Sequence, residues 1–125
     1  MKKFYLLVVG SRDFTDYDLL SAKLDMFLAN HRSFVIVSGG ADGADSLAKR
    51  YAKEHRREYI EFPAMWDVFG NKAGYIRNLH MHQFISQFEH RGVVAFWNGS
   101  SKGTAQSFKL AQQFSNPLRV VRVDK

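Results

Sequence analysis

The stretch FVIVSGGADGAD, residues 34–45, decides the fold, because it passes from an apolar run through a glycine-rich segment into a helical pattern. Residues 34–37 are aromatic and β-branched, which is typical of a short buried strand. From Asp42 onward apolar residues recur at helical spacing. The segment 38–45 holds three glycines and two aspartates. A strand that turns into a helix over glycines predicts a βαβ unit, and hence a parallel sheet.

The same alternation extends along the chain. Short apolar runs predict strands at residues 4–9, 34–37, 59–62, 93–97 and 119–123. Helical spacing predicts four helices, which begin after Asp16, at Asp42, near Ala73 and near Gly103; the third runs to Phe88 and the fourth to Phe114. Strands that return to one sheet through a helix lie parallel, with helices on both faces. The pattern predicts a single α/β domain over residues 1–125, a Rossmann-like three-layer sandwich with about five parallel strands.

Composition limits the class of protein. The 125 residues are 46% apolar and 24% charged, as in a globular domain. The formal net charge of +6 favours anionic partners. The absence of cysteine excludes disulfides, thiolate nucleophiles and Cys-ligated zinc. The apolar run after Met1 is too short for a secretion signal, and no window reaches the roughly 20 apolar residues of a membrane span, so we expect a cytoplasmic protein with no membrane partner.

The loops that follow the predicted strands are rich in glycine and small hydroxyl residues. In open parallel sheets ligands bind at this carboxyl edge, where the strand order reverses. Glycine lets backbone amides approach a phosphate, and the next helix offers its free N–H groups to the same anion. We therefore predict phosphates on the loops that begin at Gly39 and Gly99. The alternative is that these glycines serve only the tight turns.

Two common nucleotide fingerprints are absent. Residues 39–43 lack the G-x-G-x-x-G spacing, and Lys102 precedes Gly103 instead of following a glycine as in a Walker loop. We therefore do not expect an ordinary nicotinamide enzyme or ATPase, and no cofactor is expected. His80 and His82 are two apart on a helix and cannot share a face, so no metal ligands are predicted.

Several side chains at the carboxyl edge are candidates for ligand contacts. Arg12 and Arg77 suit a phosphate clamp, with surface ion pairs as the alternative. Trp66 and Trp97 are candidates for stacking on a base, although core packing is an equal alternative for Trp97. Asn78 is a candidate for a hydrogen bond to sugar or base. The predicted ligand-binding residues are Gly10, Ser11, Arg12, Ser38, Gly39, Gly40, Asp42, Gly43, Trp66, Asn78, Trp97, Gly99, Ser101, Lys102, Gly103 and Thr104.

The two aspartates of the glycine-rich segment have more than one interpretation. Asp42 is first of all a helix cap, and Asp45 extends a capping-box pattern. Asp45 is also a candidate for a contact to a ribose hydroxyl or for a general acid or base. The predicted catalytic residues are Asp45 and Arg77.

Four motifs occur in order along the chain: Gly-Ser-Arg at 10–12, Ser-Gly-Gly-Ala-x-Gly-Ala-Asp at 38–45, Ala-Gly-x-x-Arg-Asn-x-x-Met at 73–81 and Trp-x-Gly-x-Ser-x-Gly-Thr at 97–104. Together they resemble the SLOG superfamily, most of all its YspA-like branch, many of whose members are encoded by bacteria and phages. The resemblance implies a Rossmann-like fold. It relates the chain to the LOG phosphoribohydrolases, which cleave the base from a nucleoside monophosphate, and to the DNA-processing protein DprA. Other members sense nucleotide-derived signals.

The resemblance carries over to individual positions. Arg77 and Met81 match residues that the LOG enzymes keep on their third helix, and Gly103-Thr104 matches the Gly-Thr of their Pro-Gly-Gly-x-Gly-Thr-x-x-Glu loop. The position of their catalytic glutamate holds Ser107 here. Cleavage of a glycosidic bond needs a carboxylate beside the sugar, so a hydrolytic version of this protein would have to use Asp13, Asp42 or Asp45.

The sequence thus predicts a domain that binds a nucleotide or nucleotide derivative, for sensing or processing. The alternative is a nucleotide N-glycosidase or phosphoribohydrolase that uses an aspartate. A weaker alternative is single-stranded DNA binding, as in DprA. The resemblance also implies a homodimer or larger homo-oligomer.

Overall fold

Five parallel strands form one sheet in the computed structural model, which describes residues 2–124. The strands lie in the order β3-β2-β1-β4-β5. Their bounds are β1 Phe4–Gly10, β2 Phe34–Ser38, β3 Glu58–Glu61, β4 Arg91–Trp97 and β5 Leu118–Arg122. The sheet agrees with the sequence prediction within two residues at each end, because each strand is marked by a compact apolar run.

Helices connect the strands. They are α1 Tyr17–Leu28, α2 Ala44–Glu54, α3 Trp66–Phe69, α4 Ala73–Ile85 and α5 Lys102–Gln113, with a 3-10 turn at Gly70–Lys72. The short α3 and the turn were not predicted, because none of their side chains is buried and so the sequence carries no apolar stripe there. Helix α4 ends three residues before the predicted Phe88. None of the helices between residues 2 and 124 has the length and apolarity that crossing a bilayer requires.

Two apolar clusters lie on opposite faces of the sheet, because successive strand residues point to opposite sides. Leu6, Val8 and Ile36 face the side covered by α1 and α2, where Leu20 and Tyr51 pack. The intervening residues, with Leu7, Val35 and Val37 among them, face the side where Met81 and Ile85 of α4 pack and Phe108 of α5 adds to the cluster. These three layers confirm the predicted Rossmann-like α/β class.

The strand order reverses between β1 and β4. The chain moves outward from β1 to β2 and β3, then crosses back to pair β4 along the other side of β1, and β5 follows outward. The last pair in this register is Gly10 with Phe96. The two loops that leave β1 and β4 therefore diverge from adjacent points, which opens a crevice at the carboxyl edge.

A network of polar side chains lies at the amino edge of the sheet, opposite the carboxyl edge. The buried Asn116 bonds through its side-chain nitrogen to His82 Nδ1 at 3.1 Å, and its Oδ1 accepts from Arg91 Nε at 2.6 Å. Burial lowers the pKa of His82 to about 4, so its imidazole is neutral near pH 7. His80 is exposed, in agreement with the prediction that the two histidines do not share a face.

Candidate functional site

A cleft of about 440 Å³ lies at the point where the strand order reverses. Its floor is the end of β1, and its walls come from the β1–α1 loop, the β2–α2 loop with the start of α2, α4, the β4–α5 loop and the first turns of α5. The lining residues are Val9, Gly10, Ser11, Arg12, Asp13, Ala41, Asp45, Arg77, Asn78, Met81, Asn98, Ser101, Gly103, Thr104 and Ser107. We call this space the switch-point cleft.

Half of the predicted site residues meet in the switch-point cleft. They come from four separate segments of the chain, as the carboxyl-edge argument requires. These are Gly10, Ser11, Arg12, Asp45, Arg77, Asn78, Ser101, Gly103 and Thr104.

A second cleft of about 500 Å³ adjoins the first and shares Arg12, Ala41 and Arg77 with it. It holds four more of the predicted residues, Gly39, Gly40, Asp42 and Trp66, together with Pro63 and Ala64. We call it the Trp66 cleft.

Ser38 and Trp97 line neither cleft. Ser38 is fully buried, and its Oγ lies 2.6 Å from the hydroxyl of Tyr59. Trp97 packs edge-on against Phe108, and its indole N–H donates to the carbonyl of Ser101 at 3.1 Å. The structure thus shows packing contacts for Trp97 outside both clefts, and stacking on a base stays a prediction.

Gly43, Gly99 and Lys102 also line neither cleft. The two glycines have positive φ, 77° and 89°, which side-chain-bearing residues rarely adopt. A Cβ at Gly43 would overlap the backbone of Ser11, and one at Gly99 would overlap the guanidinium of Arg122. Both glycines thus serve the turns. Lys102 is exposed at the first position of α5.

The glycine-rich segment is organised around a buried carboxylate. Asp45 is 6% exposed and accepts a hydrogen bond from the amide of Ala41 at 3.2 Å. Burial raises its pKa to about 6, against the opposing effects of the Ala41 and Gly39 amides and of Arg77. The sequence predicts that these loop amides bind a phosphate. In the structure they interact with the carboxylate of Asp45 instead. The expected capping role is wrong for Asp42, because α2 begins after Gly43 with no side-chain cap.

Arg77 is fixed by the protein. Its Nη1 donates to the carbonyl of Gly39 at 2.8 Å and its Nε to Oδ1 of Asn78 at 2.7 Å. A Cβ on Gly39 would overlap this guanidinium, so the missing side chain of Gly39 makes room for Arg77. Asn78 in turn donates to Gln106 at 2.8 Å. Burial lowers the pKa of Arg77, and the nearby Arg12 adds to the effect.

Two backbone amides at the start of α5 have no hydrogen-bond acceptor in the described residues. Ser101 caps the helix by accepting from the amide of Thr104 at 3.3 Å, and Oδ1 of Asn98 accepts from the amides of Ser100 and Ser101 at 2.9 Å each. The amides of Lys102 and Gly103 precede the first intrahelical bond and find no acceptor within residues 2–124. A Cβ on Gly103 would meet no atom within 4 Å, so the protein's own packing does not require this glycine.

Ser107 lies one turn further along α5. Its side chain is fully buried, it lines the switch-point cleft, and its hydroxyl has no hydrogen-bond partner within the described residues. From the sequence, Ser107 stands out only as the residue at the position of a missing glutamate, and Asn98 is not among the predicted site residues. The glutamate position was the available signal for Ser107, whereas the role of Asn98 depends on contacts between distant loops.

The same part of the chain, residues 2–124, contains no group of three or more side chains placed to share a metal ion. The groups that line the switch-point cleft include hydroxyls, two guanidinium groups, the exposed carboxylate of Asp13 and the buried carboxyl group of Asp45.

The fold and the position of the cleft define a Rossmann-like α/β protein with a polar cleft at its switch point. The model of the YspA, cpYpsA-related SLOG family matches residues 4–69, and the chain belongs to that family. This confirms the resemblance drawn from the four motifs. The chain is 34% identical to the Gene 61 protein of Mycobacterium phage D29 over an alignment of 125 positions, gaps included, which covers 90% of this chain and 92% of the phage protein.

Solved structures agree on the fold. The DNA processing protein A of Helicobacter pylori matches with a TM-score of 0.61 and 22% identity, over 94% of this chain and 64% of that one. The DprA of Streptococcus pneumoniae matches with a TM-score of 0.66 and 21% identity, over 97% of this chain and 51% of that one. This chain thus spans less than two thirds of either DprA chain. At such identities the likeness shows the fold alone.

Asp45→Asn tests the burial of the carboxyl group. A carboxyl whose folded pKa is raised from 3.8 to about 6 stabilises the fold most below pH 3.8, and the contribution is lost as the pH rises through 6. Because asparagine does not titrate, we expect the free energy of unfolding of Asp45→Asn, relative to the original protein, to rise by roughly 3 kcal/mol between pH 4 and pH 8. Urea unfolding across this range measures it, with Asp42→Asn as the control on the same loop. A difference that does not change with pH would contradict the assignment.

Proposed function

We propose that this protein binds a nucleotide or nucleotide derivative in the switch-point cleft, with a phosphate at the start of α5. The observation that carries the proposal is the buried hydroxyl of Ser107, which has no partner in the described residues and lines the same cleft as Gly103. Leaving such a group unsatisfied costs about 1–3 kcal/mol. A ligand oxygen that accepts from Ser107 would remove this cost.

The charges around the α5 terminus favour an anion. The N-terminus of a helix carries partial positive charge, and its free amides are suited to phosphate. Arg12 lines the cleft, is exposed, and makes no hydrogen bond or ion pair within residues 2–124, in contrast to the fixed Arg77. Arg12 is therefore the guanidinium available to a ligand. The phosphate site proposed here lies at α5, because the Gly39 loop already holds the carboxylate of Asp45.

The family supports a nucleotide-related ligand. SLOG relatives, as the sequence resemblance implies, process or sense nucleotides. The Helicobacter pylori structure is described as showing a unique single-stranded DNA binding mode for that protein. A phosphate joined to a sugar and a base is common to all of these ligands.

Ser107→Ala separates a ligand contact from a structural role. Since the hydroxyl has no protein partner, we expect its removal to leave the melting temperature unchanged or to raise it. Affinity for AMP should fall about five- to tenfold, the loss expected for one hydrogen bond of about 1 kcal/mol or more. Calorimetry measures both. Ser46→Ala, on the exposed part of α2, is the control; equal AMP affinity in all three proteins would contradict the proposal.

A hydrolase is the second candidate, because Asp45 has the burial and the pKa of about 6 that suit a general acid or base. Against it, Ser107 replaces the glutamate that the LOG enzymes use. We therefore expect no free base when the protein is incubated with nucleoside monophosphates and the products are separated by chromatography. Release of base that is lost in Asp45→Asn would establish the hydrolase instead.

Single-stranded DNA is the least favoured ligand. The charged side chains that line the two clefts are two arginines and three aspartates, namely Arg12, Arg77, Asp13, Asp42 and Asp45. A chain of several phosphates needs a basic track. This lining supplies no net positive charge, so it suits a ligand with few phosphates.

A further inference from the structure

The Trp66 cleft has no part in the phosphate site, yet it adjoins it. The linings of the two clefts share Arg12, Ala41 and Arg77, so the clefts meet at the two arginines. Apart from the charged groups, its lining is small or flat: Gly39, Gly40, Ala41, Pro63, Ala64 and Trp66. Such a space suits a planar group more than another phosphate.

Trp66 is a large aromatic residue that remains half exposed to solvent. Its side chain is 51% exposed, although it lies on a helix, and its ring stacks on no aromatic ring or cation within residues 2–124. The ring lies beside α4, because a Cβ built on Gly74 would be 3.7 Å from Cη2 of Trp66 and 3.8 Å from Nη2 of Arg77. The indole and the guanidinium are thus neighbours at the boundary between the clefts. An indole next to a cation offers a stacking surface for a base.

Asp42 lines the same cleft and is free. It is exposed, does not cap α2, and accepts no hydrogen bond and forms no ion pair in the part of the chain that is described. A carboxylate can only accept hydrogen bonds. It therefore favours the exocyclic amino group of adenine, guanine or cytosine, and disfavours a carbonyl oxygen in the same place.

We propose that the Trp66 cleft is a nucleobase site, in which an amino-bearing base stacks on Trp66 and donates a hydrogen bond to Asp42. The ligand would then be held at both ends, with its phosphate at α5 and its base at Trp66. This inference rests on the proposed function but adds the class of base and two residues that select it.

The experiment compares three probes: ribose 5-phosphate, AMP and IMP, whose base has a carbonyl oxygen in place of the amino group of AMP and carries a proton on N1. We expect AMP to bind at least tenfold more tightly than ribose 5-phosphate and at least fivefold more tightly than IMP. Trp66→Ala should lower AMP affinity about tenfold, as stacking energies indicate, and leave ribose 5-phosphate affinity within twofold. Asp42→Asn should bring AMP and IMP within twofold of each other.

Val68→Ala is the matched control, because Val68 lies on α3, is 64% exposed and lines neither cleft. Fluorescence gives a second measurement. The chain has two tryptophans, so in Trp97→Phe the emission comes from Trp66 and should be quenched by AMP but not by ribose 5-phosphate.

The outcomes separate the two proposals. If ribose 5-phosphate binds and AMP binds no more tightly, the base site is wrong and the phosphate site stands. Loss of both ligands in Trp66→Ala, or equal affinity for AMP and IMP in the original protein, would also overturn the base site. Binding of none of the three would overturn both proposals, and tighter binding of a short deoxyadenylate strand than of AMP would favour DNA.

Discussion

Ser11 connects the three loops that form the candidate site. It is 1% exposed and follows directly on β1. Its amide donates to the carbonyl of Phe96 at 3.0 Å, its hydroxyl accepts from the amide of Asn98 at 3.1 Å, and its carbonyl accepts from the amide of Ala44 at 3.3 Å. One small polar residue thereby fixes the ends of β1 and β4 and the start of α2 relative to one another. The cleft is preorganised by these bonds, which reduces the ordering cost of binding.

The glycines of the carboxyl edge divide into two groups by what surrounds them. Gly39 and Gly43 are required by the protein itself, since an added Cβ would overlap Arg77 in one case and Ser11 in the other. Gly103 is different, because no atom of residues 2–124 outside α5 would lie within 4 Å of a Cβ added there. The glycine-rich segment 38–45 therefore turns the chain and holds an internal carboxylate. The amides that find no acceptor in the described residues are those of Lys102 and Gly103 at the start of α5, where the sequence has fewer glycines than segment 38–45.

Much of the fold could be predicted from the sequence, because strands with buried runs such as Phe34–Ser38 and helices with a buried stripe, such as Leu20 and Leu24 of α1, carry their periodicity in the chain. Helix α3 has no buried residue and left no such signal. The location of the candidate site at the carboxyl edge of the sheet could be predicted, because the ends of parallel strands converge there. The contacts of its individual side chains could not. That Asp45 uses the loop amides and that Trp97 packs on Phe108 depend on contacts between distant segments, which residue types and spacing do not fix.

The central claim is that free amides and a buried hydroxyl at the start of α5 hold the phosphate of a nucleotide. A crystal structure of the complex with AMP tests it most directly. We expect phosphate oxygens within about 3.2 Å of the amide of Gly103 and of the hydroxyl of Ser107. A phosphate bound instead on the amides of Gly39 and Ala41, with Asp45 displaced, or a switch-point cleft left empty at saturating AMP, would contradict it.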